Sequence, residues 1–164
     1  MMRVFYQITH DASGADDTIH LTYDARLLRR KRLTSDGGEP FLVDLPQTTS
    51  VNAGDAFALD NGAKIAVAAA DEPLMRVTGD TVRLAWHVGN RHAPCAIEDG
   101  ALVLQREKVM RAMLEGLGGV VVDFDGPFTP EGGAYGHGRT MGHDHSHSHS
   151  HDHSHSHSHD HSHG

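Results

Sequence analysis

From His143 to His163 every second residue is histidine, and only Ser and Asp lie between them. Such a stretch has no apolar area to offset roughly 1 to 2 kcal/mol of backbone entropy per ordered residue. Residues 136–164 are therefore expected to form a disordered His-rich tail, and the folding part to end near residue 135. Gly136 to Gly164 holds 12 of the chain's 16 histidines. What is left of the 164 residues suffices for one ordinary domain or two small ones.

The alternation itself has a chemical reading. Neutral imidazole is the commonest side-chain metal ligand, and in an extended chain every second residue points to the same side. His143, His145, His147, His149, His151, His153, His155, His157, His159, His161 and His163 are accordingly assigned as metal ligands. Imidazole suits nickel, zinc and copper alike, and the intrinsic affinity order favours copper, so the tail alone does not name its metal. Protons compete for the same nitrogens, and an unperturbed histidine titrates near about 6.5. Tail affinity is thus expected to fall steeply below about pH 6.

Charge and cysteine content narrow the field. Fourteen basic residues against 22 acidic ones leave a net charge of −8, the wrong sign for a nucleic-acid binder. The single cysteine, Cys95, forms neither an internal disulfide nor a Cys-rich zinc module. Met1 to Asp17 lacks the apolar core of a signal peptide, and no apolar run reaches membrane-spanning length. A cytoplasmic protein with neither nucleic acid nor membrane as partner is expected.

Up to Glu72 the chain consists of short apolar runs between turn residues. Val4–Ile8, Thr18–Thr22, Phe41–Leu45, Ala56–Leu59 and Lys64–Val67 read as strands, and Asp36-Gly37-Gly38, Gly54-Asp55 and Asn61-Gly62 as turns. Glu72-Pro73 reads as a boundary, because proline cannot donate to a ladder. Beyond it, Leu74–Thr78, Cys95–Glu98, Ala101–Leu104 and Val120–Phe124 read as strands. Arg106–Leu117 reads as a helix with Val109, Met110, Met113, Leu114 and Leu117 on one face, closed by a left-handed cap at Gly118-Gly119. Thr81–Val88 fits a strand or a helix with Val82, Ala85 and Trp86 on one face, and is assigned as helix. The fold class is α+β: a small all-β domain over residues 1–72, a ferredoxin-like βαββαβ domain over 73–135, and the tail. Domains this small are marginal alone, which makes oligomerisation a natural expectation.

Among the ordered histidines, His92 stands out. It ends Trp86-His87-Val88-Gly89-Asn90-Arg91-His92-Ala93-Pro94, where a predicted helix turns toward a strand. Near a two-fold axis one such residue supplies two ligands to a weak, open site. His87, five residues earlier, reads as a packing residue, Cys95 as a small core residue, and His10 and His20 as surface residues. Arg26, Arg29, Arg30, Lys31 and Arg32 form a basic cluster suited to an acidic partner or simply to solvent. No phosphate loop, nucleophile elbow or H-E-x-x-H helix is present, so no enzyme is expected.

His87-Val88-Gly89-Asn90-Arg91-His92-Ala93-Pro94, together with Thr22-Tyr23-Asp24-Ala25-Arg26, Glu72-Pro73, Met113-Leu114-Glu115-Gly116-Leu117-Gly118 and Phe128-Thr129-Pro130-Glu131-Gly132-Gly133-Ala134-Tyr135, resembles the urease accessory protein E family (UreE). The resemblance implies a nickel metallochaperone, a homodimer whose second domains meet at His92, and nickel held between the two copies there. It implies a first domain that meets partner proteins, and delivery to the urease assembly machinery, its GTPase before the urease apoprotein. It also favours helix for Thr81–Val88. Where some members carry further histidines at the start of the second helix, this chain has Arg106, Glu107 and Lys108, so accessory ligands are expected from the tail. The competing readings are a general Ni2+, Zn2+ or Cu2+ buffer, which needs only the tail, and a protein-binding adaptor built on the β domain.

Overall fold

The structure is a computed structural model that describes residues 1–132. The expectations for residues 136–164, including every tail ligand from His143 to His163, lie outside the described residues.

The first half is all-β, as its turn spacing predicts. Its strands are β1 (Arg3–Phe5), β2 (Gln7–Thr9), β3 (Asp17–Leu21), β4 (Leu27–Thr34), β5 (Pro40–Ser50), β6 (Ala56–Ala58) and β7 (Lys64–Ala69). They form two sheets, ordered β1-β5-β4 and β2-β6-β7-β3. The single strand expected over Val4–Ile8 is instead two, because the chain changes sheets at exposed Tyr6: β1 runs parallel to β5 and β2 antiparallel to β6. The period-2 burial of Phe41, Val43 and Leu45 turns that face of β5 inward. There Phe5, Phe41 and Phe57 pack with ring centroids 5.5 to 6.2 Å apart, among Ile19, Leu28, Ile65 and Val67. β5 continues past the expected end at Leu45. Its ladder with β4 is interrupted between Leu28 and Arg30, opposite the stretch that contains Pro46, where a proline costs no ladder bond.

The second half follows the order β8 (Asp71–Thr78), α1 (Thr81–Asn90), β9 (Ala96–Glu98), β10 (Ala101–Gln105), α2 (Lys108–Gly116) and β11 (Val120–Pro127). Its antiparallel sheet is ordered β11-β8-β10-β9. Both helices pack on one face, where Leu84 and Val88 of α1 and Met110 and Leu114 of α2 meet Met75, Val77, Leu102 and Leu104. The opposite face carries a smaller cluster of Leu74, Val103 and Phe128.

Three local expectations need correction. The strand expected to begin at Leu74 begins at Asp71, so Glu72 and Pro73 lie inside β8, and Pro73 faces Asp125 of β11 in register. The Pro73 carbonyl accepts from the Arg106 N–H beyond the end of β10, so its nitrogen also faces that side, where no strand needs a donor. The Val82, Ala85 and Trp86 face of α1 is not the buried one, since Val82 and Trp86 are 83% and 65% exposed while Leu84 and Val88 are buried. Val109 likewise leaves the buried face of α2 and is exposed.

The halves meet through polar contacts. Buried Glu72 accepts from the Tyr23 N–H at 2.8 Å and from Gln105 Nε2 at 3.3 Å. Buried Arg26 reaches the Phe128 carbonyl.

Candidate metal centre

Helix α1 starts at Asp80, whose side chain accepts from the Arg83 N–H at 3.1 Å and caps the orphan amides of the first turn. Its other end builds the site. The His92 N–H donates to the Gly89 carbonyl at 3.0 Å and the Ala93 N–H to the Val88 carbonyl at 3.3 Å. This pair of bonds, with Ala93 packed in the same apolar cluster as Val88, is a Schellman cap. Such a cap needs one left-handed residue, and that residue is His92, at φ 56°.

Helix α2 closes in the same way: Gly118 donates to Glu115, Gly119 donates to Leu114, and the left-handed residue is Gly118 at φ 87°. Glycine adopts this conformation without cost, whereas an L side chain pays on the order of 1 kcal/mol. His92 is the only non-glycine residue at positive φ among the described residues. This conformation and the exposure of its side chain make His92 the candidate position at this end of the molecule.

Other candidates take different roles. His87 is half-buried and its ring meets Trp86 edge-on, with centroids 5.0 Å apart. Cys95 packs against the helix-covered core, and its Sγ points to the Ala96 carbonyl at 3.6 Å. Burial, reinforced by the Glu131 carboxylate, pushes its thiol from 9.0 up to about 11. His10 and His20 are exposed, as expected, with Nδ1 set against Asp55 and Asp36 respectively. Arg26 does not belong to the surface cluster in which it was expected: it is buried, while Arg29, Arg30, Lys31 and Arg32 stand exposed on β4, an edge strand. Among the described residues no three His, Cys, Asp or Glu side chains gather into a ligand set.

A contact between residues far apart in the chain brings a second segment close to His92. The Glu131 N–H donates to the Cys95 carbonyl at 2.9 Å, so the chain leading to residue 132 runs three residues from His92. No local pattern in residues 128–131 carries this path, which depends on the tertiary fold. Among the described residues no helix is long and apolar enough to cross a membrane.

The described residues thus form a mixed α+β architecture, an all-β half followed by a half in which two helices cover one face of a four-stranded sheet. Residues 5–70 match the model of the UreE urease accessory protein, N-terminal domain, and residues 72–164 that of the UreE urease accessory protein, C-terminal domain. The urease accessory proteins UreE of Ruegeria pomeroyi and Rhodobacter capsulatus are each 56% identical over 132 residues, which is 80% of this chain and 89% and 85% of theirs. That of Paracoccus denitrificans is 51% identical over 135 residues, 82% of this chain and 87% of its own. The chain belongs to the UreE family of urease accessory proteins.

Proposed function

We propose that this chain is a nickel metallochaperone of urease maturation, working as a cytoplasmic homodimer. Imidazoles of residues 143–163 capture Ni2+, the His92 side chains of two copies hold one ion between them, and the ion passes to the urease assembly GTPase and then to the urease apoprotein. The observation that carries this reading is His92 itself, an exposed imidazole in a left-handed helix cap of a UreE-family chain.

In this reading residues 1–72 are the partner-binding domain, with the exposed cations of β4 facing an acidic partner. Residues 73–135 are a ferredoxin-like domain for metal binding and dimerisation, consistent with the sheet order β11-β8-β10-β9. Residues 136–164 are the capture tail. Support for the dimer comes from Val82 and Trp86, one turn apart on the exposed side of α1 and leading toward His92, since an uncovered apolar stripe of this kind marks an interaction surface. Support for completion of the site by the tail comes from the Glu131 to Cys95 bond, which brings the chain past the site just before the tail begins.

The mechanism is ligand exchange, with no catalytic step. The tail offers many equivalent donors that must be ordered anew around each ion, so its sites are multiple and heterogeneous. The His92 loop is fixed before metal arrives and loses less freedom on binding, so it holds one ion at one place for handover. Tail imidazoles, water or both complete the coordination.

A general Ni2+, Zn2+ or Cu2+ buffer remains the second reading, favoured by the alternating histidines. Activation of apo-urease by its purified assembly proteins, with this chain as the nickel source under a chelator, separates the two. A metallochaperone whose tail histidines are replaced by Ser retains residual activation that His92→Ala abolishes. A buffer loses all of it with the tail histidines and none with His92.

A further inference from the structure

β4 is an edge of its sheet: β5 pairs with it on one side, and among the described residues no strand pairs on the other. Its ladder fixes which residues turn their backbone outward. Thr34 stands opposite Pro40 and Arg32 opposite Leu42, and just beyond them the Ser35 N–H donates to the Glu39 carbonyl at 2.8 Å. Bonded positions alternate in an antiparallel pair, so Leu33 and Lys31 also bond to β5, while Arg30, Arg32 and Thr34 aim N–H and C=O away from it. Pro40 agrees with this phase, since it has no N–H to give opposite Thr34. The register shift leaves the edge intact, because the extra residues, 45–48, belong to β5, where β4 has only Arg29.

The side chains along this edge are of one sign. Arg29, Arg30, Lys31 and Arg32 are all exposed. Arg3, Arg76, Arg106 and Arg111 each lie against a carboxylate. Among the described residues no carboxylate pairs with the four cations of β4, not even Asp44, which stands opposite Arg30 in register. A chain of net charge −8 thus leaves four consecutive cations uncompensated. Charges on an edge strand oppose further pairing, and like charges oppose it most. This edge therefore rejects a basic strand and the β4 of a second copy, and admits a strand that brings carboxylates.

We propose that the free edge of β4 docks an acidic peptide segment of a partner protein, which adds as a further antiparallel strand. Its backbone bonds to the outward N–H and C=O groups of Arg30 and Arg32, and carboxylates two residues apart stand directly opposite the two guanidiniums. The proposal deepens, and rests on, the reading of residues 1–72 as the partner-binding domain.

The test uses the metal-free full-length chain and a fluorescent peptide of about ten residues alternating Glu and Thr, long enough to run along β4. At about pH 8 unperturbed imidazoles are neutral and do not attract the probe. The peptide is expected to bind at least about tenfold tighter than a counterpart alternating Lys and Thr, and to slow hydrogen exchange at the Arg30 and Arg32 amides while the Lys31 amide keeps its rate. Arg30→Glu combined with Arg32→Glu is expected to weaken binding at least about tenfold. N-methylation of the peptide at its Glu residues removes the donors facing β4 and is expected to cost as much, whereas N-methylation at its Thr residues touches only the far edge and is expected to cost little. Equal binding by the two methylated peptides would reduce the contact to diffuse charge attraction and overturn the strand addition. Failure of the plain peptide to bind, or indifference to the charge reversal, would overturn the site. Hydrogen exchange of the same chain with purified urease assembly proteins separates the proposal from its premise. Slowing at Arg30 and Arg32 supports both, slowing elsewhere in residues 1–72 but not on β4 keeps the premise and overturns the proposal, and no slowing within residues 1–72 overturns both.

Discussion

His92 holds a conformation that glycine would hold more cheaply, and this sets stability against function at a single residue. His92→Gly is expected to raise the metal-free stability by up to about 1 kcal/mol in urea denaturation, because the left-handed backbone no longer carries a Cβ. His92→Ala keeps the Cβ and gains little. Both remove the imidazole of the proposed nickel centre, and a glycine variant that is no more stable than the alanine variant would contradict the strain assigned to His92. Cys95 makes the opposite case, a reactive type of side chain used for packing. Its thiol titrates about two units above 9.0 in the folded chain, so the folded state binds the proton more tightly than the unfolded state. The contribution of this thiol to stability is fully present below about pH 9 and is lost as pH rises through about 11. The thiol should react with iodoacetamide at pH 8 far more slowly than free cysteine, and Cys95→Ala should leave nickel stoichiometry unchanged.

At the scale of elements, helix ends decide more than helix faces. Glu107 caps α2 by accepting from the Val109 and Met110 N–H groups at 2.8 and 2.7 Å, and these bonds hold its carboxyl below the usual range. The stabilisation is present above about pH 4.5 and lost as pH falls through the depressed value. Glu107→Ala is expected to lower the urea midpoint at pH 7 and to flatten the acid limb of the stability curve. Most of the strand-and-turn spacing, the Gly118 cap and α2 were legible in the sequence because each rests on local periodicity or turn chemistry, whereas Thr81–Val88 fitted a strand as well as the helix α1. Which face of α1 is buried was not: Val82 and Trp86 are apolar at helical spacing, but Leu84 and Val88 lie over the sheet. The place of His92 at the end of α1 was legible. The strap from Phe128 to Glu131 and the inward turn of Arg26 were not, because both depend on contacts between residues far apart in the chain. The exposed Trp86 gives its own test. Trp86→Glu is expected to shift the protein from dimer to monomer in light scattering while its circular dichroism stays native, and an unchanged mass would remove α1 from the interface.

For the whole molecule, an apolar stripe on α1, a strained histidine at its end and a strap that brings the chain back beside it converge on one small region. A single copy presents one imidazole there, and among its described residues no three-ligand cluster exists, so the proposed centre needs a second copy, the tail, or both. The exposed cations of β4 belong to the first half, apart from these elements. The decisive measurement is nickel-binding calorimetry, with mass determination in solution, on the full-length chain whose histidines from His143 to His163 are replaced by Ser, with and without His92→Ala. One nickel per dimer, lost with His92, is the predicted result. No nickel bound by either chain, or nickel bound equally by both, would contradict a shared centre at His92 and leave the metal chemistry to the tail or to some other group.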